Sequence, residues 1–273
     1  MHHFPVVNFS GVGFDLSSLL AITVSALLVF VLARVAVTNL SLHNPSKLQN
    51  FMEWAVEFVH GMVASTMPLK HAKRFITLGL TLILFIFVSN LLGLPFGVVT
   101  EVKDDHHGAV TAFGMEIMSE AEYEKEHAAG KHVAFAWWKS PTADLSVTAG
   151  LAFTVFLIIH LAGLFTNTKH YIKHYFQPFP IFLPLNIIET ISRPVTLAIR
   201  LFANIFAGEV LISTILMLNW VGIPLLAVWQ GFSIFVGAIQ AFLFTILTMV
   251  YLAGATVHEE HDDHAEHAGH EKH

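Results

Sequence analysis

The stretch RPVTLAIRLFANIFAGEVL, residues 193–211, sets an arginine, Arg200, in a run that is otherwise almost wholly apolar, with a glutamate, Glu209, nine residues further on. On a helix, Arg200 meets the residues three and four positions away, which are Thr196, Leu197, Ala203 and Asn204. No carboxylate on its own helix pairs with it there. At about 100° per residue, Glu209 points about 180° away and lies about 13.5 Å along the axis, so it is not the partner either. Glu189, Arg193 and Arg200 project within about 40° of one another, and Asn204 lies about 40° round from Arg200. Glu189 and Arg193 stand four residues apart early in the run and read as an interfacial ion pair. Arg200 lies too deep to snorkel to an interface, and a charge at that depth needs a partner or water. Its partner lies elsewhere.

The depth argument follows from composition. The 273-residue chain is 55% hydrophobic and 12% charged, with a mean hydropathy of +0.64, which is far from a soluble domain. Runs at 16–33, 75–100, 145–168, 183–218 and 221–253 each reach or exceed the roughly 20 residues needed to cross about 30 Å of hydrocarbon. The break between the last two is the turn-like NWVGIP at 219–224, which overlaps the start of the final run. The pattern predicts one all-α polytopic membrane domain over 1–273 with about five crossings. The final pair is too long to cross upright: 36 and 33 residues make helices of about 54 and 50 Å. Spanning about 30 Å with the longer one demands a tilt near 55°, well beyond the usual 20° or so. A slanting pair of this kind presents a long lateral surface to a neighbour.

Basic residues give the orientation. Arg34, Lys47, Lys70, Lys73 and Arg74 flank the segment between the first two crossings, and Lys169 and Lys173 follow the third. Both segments are expected inside, which puts the N-terminus and the 101–141 loop outside and the C-terminus in the cytoplasm. The loop fits this side, with eight acidic residues, from Glu101 to Glu126, against four lysines. It reads as a solvated acidic insert. The first sixteen residues hold no Lys or Arg, and no small-residue cleavage site follows the first run, so that run reads as a retained helix. Between the first two crossings, 44–67 opens with Asn44-Pro45-Ser46, a helix-start signal. Leu48, Phe51, Met52, Ala55, Phe58, Val59, Met62 and Val63 recur at helical spacing, with Gln49, Glu53, Glu57 and His60 on the other face. Its two mid-helix carboxylates make it a poor spanning segment. It is expected to lie along the inner membrane surface, a position compatible with packing on another protein.

The 193–211 stretch, followed by WQGFSIFVGAIQAFLFTILTMVYLA at 229–253, resembles subunit a of the F-type ATP synthase. NFMEW at 50–54, VSNLLGLPF at 88–96 and WWKSPTADLSVT at 137–148 carry the resemblance along nearly the whole chain, and the last leans toward the bacterial branch. The resemblance implies a proton-translocating stator in a bacterial plasma membrane, its last two helices slanting across a ring of c subunits. It also implies contact with the b subunit of the peripheral stalk and the rest of the complex. It implies that Arg200 faces the ring's carboxylates, with Asn204 and Glu209 near or on two offset half-channels and Gln240 as neighbour on the final helix. Ser233 stands where some family members carry a second ionisable residue, about two turns before the glutamine, which puts a paired acidic relay in doubt here. Gln240 reads equally as interhelical glue. His160 suits either a hydrogen-bonded structural role or a lining of the inner path. Glu189 belongs with the path only if it is more than Arg193's partner. No cofactor, resident metal or nucleic-acid partner is expected, and no bond chemistry on this chain alone.

A reading from another class is a polytopic metal-ion transporter. It rests on the tail at 257–273, which reads as disordered and places His258, His261, His264, His267, His270 and His273 every third residue among carboxylates. Such a tract binds zinc or nickel weakly. The spans themselves offer only His160 and Glu209 as facing ligands, and a pure assembly or anchoring subunit would have no need of Arg200. Because the chain contains no cysteine, single introduced cysteines report topology cleanly. Cysteines at Ala121 and Ala268 are expected to be labelled by an impermeant maleimide from opposite sides of the membrane, and labelling of both from one side would overturn the orientation.

Overall fold

The computed structural model describes residues 4–9, 12–94, 99–102, 109–112, 115–128, 133–175 and 179–256. The tail at 257–273 and part of the 101–141 loop lie outside the described residues. Within them, five helices are long and apolar enough to cross a membrane, as the hydropathy pattern predicts. They are α1 (Leu16–Thr38), α3 (Leu69–Leu92), α5 (Leu145–Tyr175), α6 (Leu183–Leu216) and α7 (Gly222–Thr256). The shorter α2 (Lys47–Thr66) and α4 (Glu120–Ala128) complete the helices described.

Local chemistry fixes the starts. Asp15 accepts from the backbone N–H groups of Ser17 and Ser18 and caps α1, while Ser46 accepts from Gln49 N and caps α2 where the Asn-Pro-Ser signal placed it. The predicted stripe of α2 is buried at Met52, Ala55, Val59, Met62 and Val63, where the helix meets α3 and α7. Phe51 and Phe58 flank that stripe and join Trp54 in an aromatic ladder that ends on Phe242 of α7. Gln49 differs from expectation: it is buried, because its amide closes the preceding linker. It donates to Ser41 O and to Glu53 Oε1 and accepts from Ser41 N.

Helices α3, α5, α6 and α7 form the centre of the bundle, with α2 laid on α3 and α7, and α1 against α3. Val59, Ile86, Leu201, Phe244, Met249 and Leu252 are fully buried where they meet. In lipid the gain from such burial is close packing and not escape from water. Helices α6 and α7 run for 34 and 35 residues, about 51 and 53 Å, and fold back on each other through a 3₁₀ turn, Asn219–Val221. The excess length read from the sequence is therefore real. Pro194 sits inside α6, where the helix lacks the hydrogen bond that its missing N–H would have donated.

The 101–141 segment is more than a solvated insert. Strand β1 (Val6–Phe9) pairs antiparallel with β2 (Val12–Asp15), β3 (Val99–Glu101) with β6 (Ala134–Ala136), and β4 (Val110–Ala112) with β5 (Met115–Met118). Val110, Ile117, Met118, Tyr123, Val133 and Phe135 make a small core of their own, with Val7 and Leu16 packed on it. Strands of three and four residues give too little alternation to be read from the sequence, and the acidic residues of α4 stay on its exposed faces around buried Tyr123. Because β1 packs against β5, the N-terminal hairpin and this loop share one side of the bundle. That agrees with α1 and α3 each crossing once.

A charged clamp ties this cap to the helices. Lys139 Nζ lies 2.5 Å from Asp15 Oδ2 and 2.9 Å from Asp144 Oδ2, with its side chain 9% exposed. Ser18 Oγ donates 2.8 Å to Asp144, and the Phe4 ring lies 4.2 Å from the ammonium. Burial alone pushes both carboxyls up, but the Lys139 hydrogen bond and charge, with the Ser17 and Ser18 bonds, outweigh it and hold them below the ordinary aspartate value. Burial likewise pushes the ammonium down, and the two aspartates outweigh it and hold its pKa above that of a free lysine. The carboxylates thus contribute stability that is present above their unfolded pKa, about 4, and is lost as pH falls through their depressed folded values. The lysine contributes stability present below about 10.5, lost as pH rises through its raised folded value. The clamp should hold across the neutral range. Lys139→Met leaves two facing carboxylates and should cost about 3–5 kcal/mol locally, read as lost hydrogen-exchange protection of Leu16 N–H, which donates to Pro5 O, and of the β1–β2 amides.

Candidate functional site

The middle of the α6–α7 hairpin is polar on its inner side. Asn204 Nδ2 donates to Gln240 Oε1 at 2.9 Å, and Gln240 is buried. One and a half turns along α6, Glu209 Oε1 accepts from the backbone N–H of Ser140 at 3.0 Å. Between them opens a cavity of about 660 Å³, bounded by α6, α7, the C-terminal end of α3 and the segment around Ser140. Its walls are mostly apolar, including Phe206, Leu211, Trp229, Phe232 and Val236. Its polar members are Asn90, Ser140, Asn204, Glu209, Thr214 and Ser233. Ser233 Oγ is buried and has no hydrogen-bond partner among the described residues.

The far wall is built by side chains that cap α3. The last carbonyls of a helix have no intrahelical donor. Trp138 Nε1 donates to Leu92 O at 2.8 Å, Ser140 Oγ to Ser89 O at 3.0 Å, and Gln230 Nε2 to Leu94 O at 2.8 Å. Asn90 links three elements: its Nδ2 donates to Gly237 O at 3.0 Å on α7, and its Oδ1 accepts from Thr142 Oγ1 at 2.6 Å. Gly237 permits that approach, since a Cβ there would stand 3.1 Å from Asn90 Cβ.

The structure thus brings Asn204, Glu209 and Ser233 to one cavity and ties Gln240 to it through Asn204. Arg200 lies one turn from Asn204, half-buried, outside the cavity lining, and makes no hydrogen bond or salt bridge among the described residues. Glu189 bonds Arg193 at 2.6 Å as the spacing predicts. Arg193 also covers the Tyr251 ring at 4.9 Å, and both members of the pair are exposed, so the pair is worth little. His160 sits in an aromatic setting on α5, with Nδ1 2.8 Å from Phe156 O, the Phe156 ring at 3.8 Å and the Tyr171 ring edge-on at 6.1 Å. Neither Glu189 nor His160 lines the cavity.

Two contributors escaped the sequence reading. Asn90 left a signal, an uncharged polar residue next to Ser89 inside an apolar run, which in hydrocarbon must find partners. Ser140 left none at Glu209, because what it offers there is a backbone N–H.

A family model described as ATP synthase A chain matches residues 18–253. The chain is 43% identical over 269 residues to ATP synthase subunit a of Anoxybacillus flavithermus, covering 95% of this chain and all of the relative. It is 39% identical to that of Bacillus subtilis and 40% to that of Staphylococcus aureus JH9, in each case over 94% of this chain and 99% of the relative.

The chain belongs to the ATP synthase subunit a family.

Membership makes it an ion-conducting membrane subunit of an ATP synthase that carries out no bond chemistry itself, and five spans with bacterial relatives make it a multi-pass plasma-membrane protein. The metal-transporter reading is not favoured. In this subunit a, residues 88–94 and 137–148 are one structural unit, docked through Asn90 and Thr142. Asn90→Leu should therefore remove both links, to Thr142 and to Gly237, leaving the Thr142 hydroxyl only Ser140 Oγ at 2.8 Å, and cost about 1–2 kcal/mol, seen as a lower thermal midpoint of the detergent-solubilised complex.

Proposed function

We propose that this subunit is the proton-conducting stator of a rotary ATP synthase, with Arg200 facing a mid-membrane carboxyl on each member of a neighbouring ring of c subunits. Asn204, Glu209 and Ser233 line one of two offset half-channels, and Gln240 holds Asn204 at its edge. The observation that carries the reading is Arg200 itself: a fixed charge deep in a span, without a partner among the described residues. On its own helix a cavity-lining carboxylate lies on a different face. The charge calls for a partner that arrives from outside the chain.

The physics then runs in one direction. A ring carboxyl facing lipid must be neutral, since the ionised form carries a desolvation penalty of several kcal/mol. Beside Arg200 the ionised form is favoured, so a carboxyl approaching it releases its proton to one aqueous path and takes up another after passing. The guanidinium does not deprotonate, so it attracts the carboxylate and also blocks direct proton passage between the two paths. The membrane potential supplies about 2.3 kcal/mol per charge per 100 mV. The cavity lies at the end of α3 that bears the 95–141 loop, so we assign it to the outer half-channel, with the N-terminus outside and the tail at 257–273 in the cytoplasm. Helix α2 lies along the inner surface, and the b subunit of the peripheral stalk is a further partner. Ser233 Oγ, buried without a partner among the described residues, suits a cavity that holds water, because a buried hydroxyl needs a partner. Glu189 and His160 are not assigned to this half-channel.

Arg200→Ala should abolish ATP-driven proton pumping in inverted vesicles while the complex still assembles, and should raise passive proton leak. Arg200→Lys should not restore full pumping, because an ammonium lacks the planar fork and deprotonates when desolvated. Glu209→Gln should slow pumping without stopping it. Substantial coupled pumping by Arg200→Ala, measured with a pH-sensitive dye at matched assembly, would remove the basis of this reading.

A further inference from the structure

The strongest feature that the proposed mechanism leaves unused is the buried ammonium next in sequence to Glu209's hydrogen-bond donor. Lys139 is enclosed by Asp15 and Asp144, and Ser140 N–H points at Glu209 Oε1. The two aspartates belong to different helix starts. Asp15 caps α1 through Ser17 N and Ser18 N, and Asp144 Oδ1 accepts from Ser146 N at 2.8 Å in the first turn of α5. Lys139 therefore pins the 138–142 segment to the ends of two crossing helices at once.

The segment's remaining side-chain bonds run to α3: Trp138 to Leu92 O, Ser140 Oγ to Ser89 O, and Thr142 Oγ1 to Asn90. Among the described residues, its one hydrogen bond to α6 is that from Ser140 N to Glu209. The seat is tight as well, since a Cβ on Gly93 would overlap Ser140 Cβ. The segment is thus fixed to α1, α3 and α5, and presents a single donor to the carboxylate on α6.

We infer that Lys139 is a positioning residue for Glu209: its clamp between Asp15 and Asp144 holds the Ser140 backbone N–H on one carboxylate oxygen within the cavity. A backbone donor suits this task better than a hydroxyl does. A hydroxyl rotates and also accepts, whereas an N–H held by its peptide plane has one direction and only donates. It engages Oε1 and leaves Oε2, which has no hydrogen bond among the described residues, for proton exchange. Lys139 is the charged side chain of the 138–142 segment and stands outside the cavity lining, in which every residue besides Glu209 is uncharged. The inference rests on the reading that Glu209 lines the proton path.

Two substitutions act at different points of the device. Lys139→Gln removes the charge that both aspartates hold. Ser140→Pro leaves the clamp and removes the donor, and Ser140 has φ −61°, which proline adopts. Ser140→Ala removes the hydroxyl and keeps the N–H. ATP-driven pumping of the intact complex is measured in inverted vesicles, normalised to assembled complex, over a range of pH, beside Glu209→Gln.

We expect Lys139→Gln and Ser140→Pro each to slow pumping about tenfold, the scale of one hydrogen bond to a charged group. Each should move the midpoint of the pH profile away from the parent's. Lys139→Arg should recover most of the rate, and Ser140→Ala should pump faster than Ser140→Pro. Slower pumping at Glu209→Gln, with parental rates for Lys139→Gln and Ser140→Pro, overturns the inference alone. So do slowed rates with an unmoved pH midpoint, which mark a clamp that only holds the fold. Parental pumping by Glu209→Gln overturns the underlying reading of Glu209. If Lys139→Gln prevents assembly, Ser140→Pro decides by the same criteria.

Discussion

Hydrocarbon supplies no hydrogen bonds, and the placement of nearly every polar side chain in the spans follows from that. Thr81, Thr154, Thr166, Thr245 and Thr248 each return their hydroxyl to the carbonyl four residues back, which satisfies the group within its own helix. Amides do not close on themselves so easily and cross between helices. Asn90 joins α3 to Gly237 on α7 and to Thr142, and Asn204 joins α6 to Gln240. These bonds, with close packing, hold together a bundle whose apolar faces gain little from leaving lipid for protein. The exceptions cluster. Among the described residues, Ser233 Oγ at the cavity and Ser89 Oγ on α3 are buried without a hydrogen-bond partner, and Arg200 is unpartnered on the α6–α7 pair. A membrane protein tolerates such groups where water or another chain meets them.

The part of the chain on the cavity side of the bundle works under different rules. There a lysine and two aspartates, removed from water but close together, form a clamp whose attraction offsets their desolvation because each charge also has hydrogen bonds. The clamp joins the hairpin of β1 and β2, the start of α1, the 138–142 segment and the start of α5. The small core of Val110, Ile117, Tyr123, Val133 and Phe135 sits on the same side and keeps β1 in place. An acidic insert thereby becomes part of the scaffold around Glu209.

Much of this was legible in the sequence because the membrane imposes strong periodic and length constraints. The five spans, the capped amphipathic α2 and the excess length of α6 and α7 all follow from apolar runs and cap residues. So do the Glu189–Arg193 pair and the isolation of Arg200, since both depend only on spacing along one helix. What failed to appear depended on contacts outside the periodicity of a single helix. Gln49 looked surface-facing because its partner Ser41 lies in a linker without periodicity. The strands of the 101–141 segment are too short to alternate visibly. The bond from Ser140 to Glu209 spans 69 residues and uses a main-chain donor, and main-chain donors are the same at every residue except proline.

The two charged residues of α6 are held by opposite means, and the contrast fits the work proposed for each. Glu209 is anchored: a backbone donor on a segment tied to three other helices fixes one of its oxygens, and its cavity is bounded by α3, α6, α7 and the segment around Ser140. A group that passes protons to and from water benefits from a fixed position, since transfer requires the donor and acceptor to lie within hydrogen-bond reach. Arg200 has no such anchor among the described residues. A group that must attract successive carboxylates and release each of them gains nothing from a permanent partner on its own chain, because an internal ion pair would neutralise the charge that draws the next carboxylate in. On the proposed reading, an Arg200 unpaired among the described residues and an anchored Glu209 serve one requirement: protons are held at fixed points while the carboxylates move past a charge that stays free.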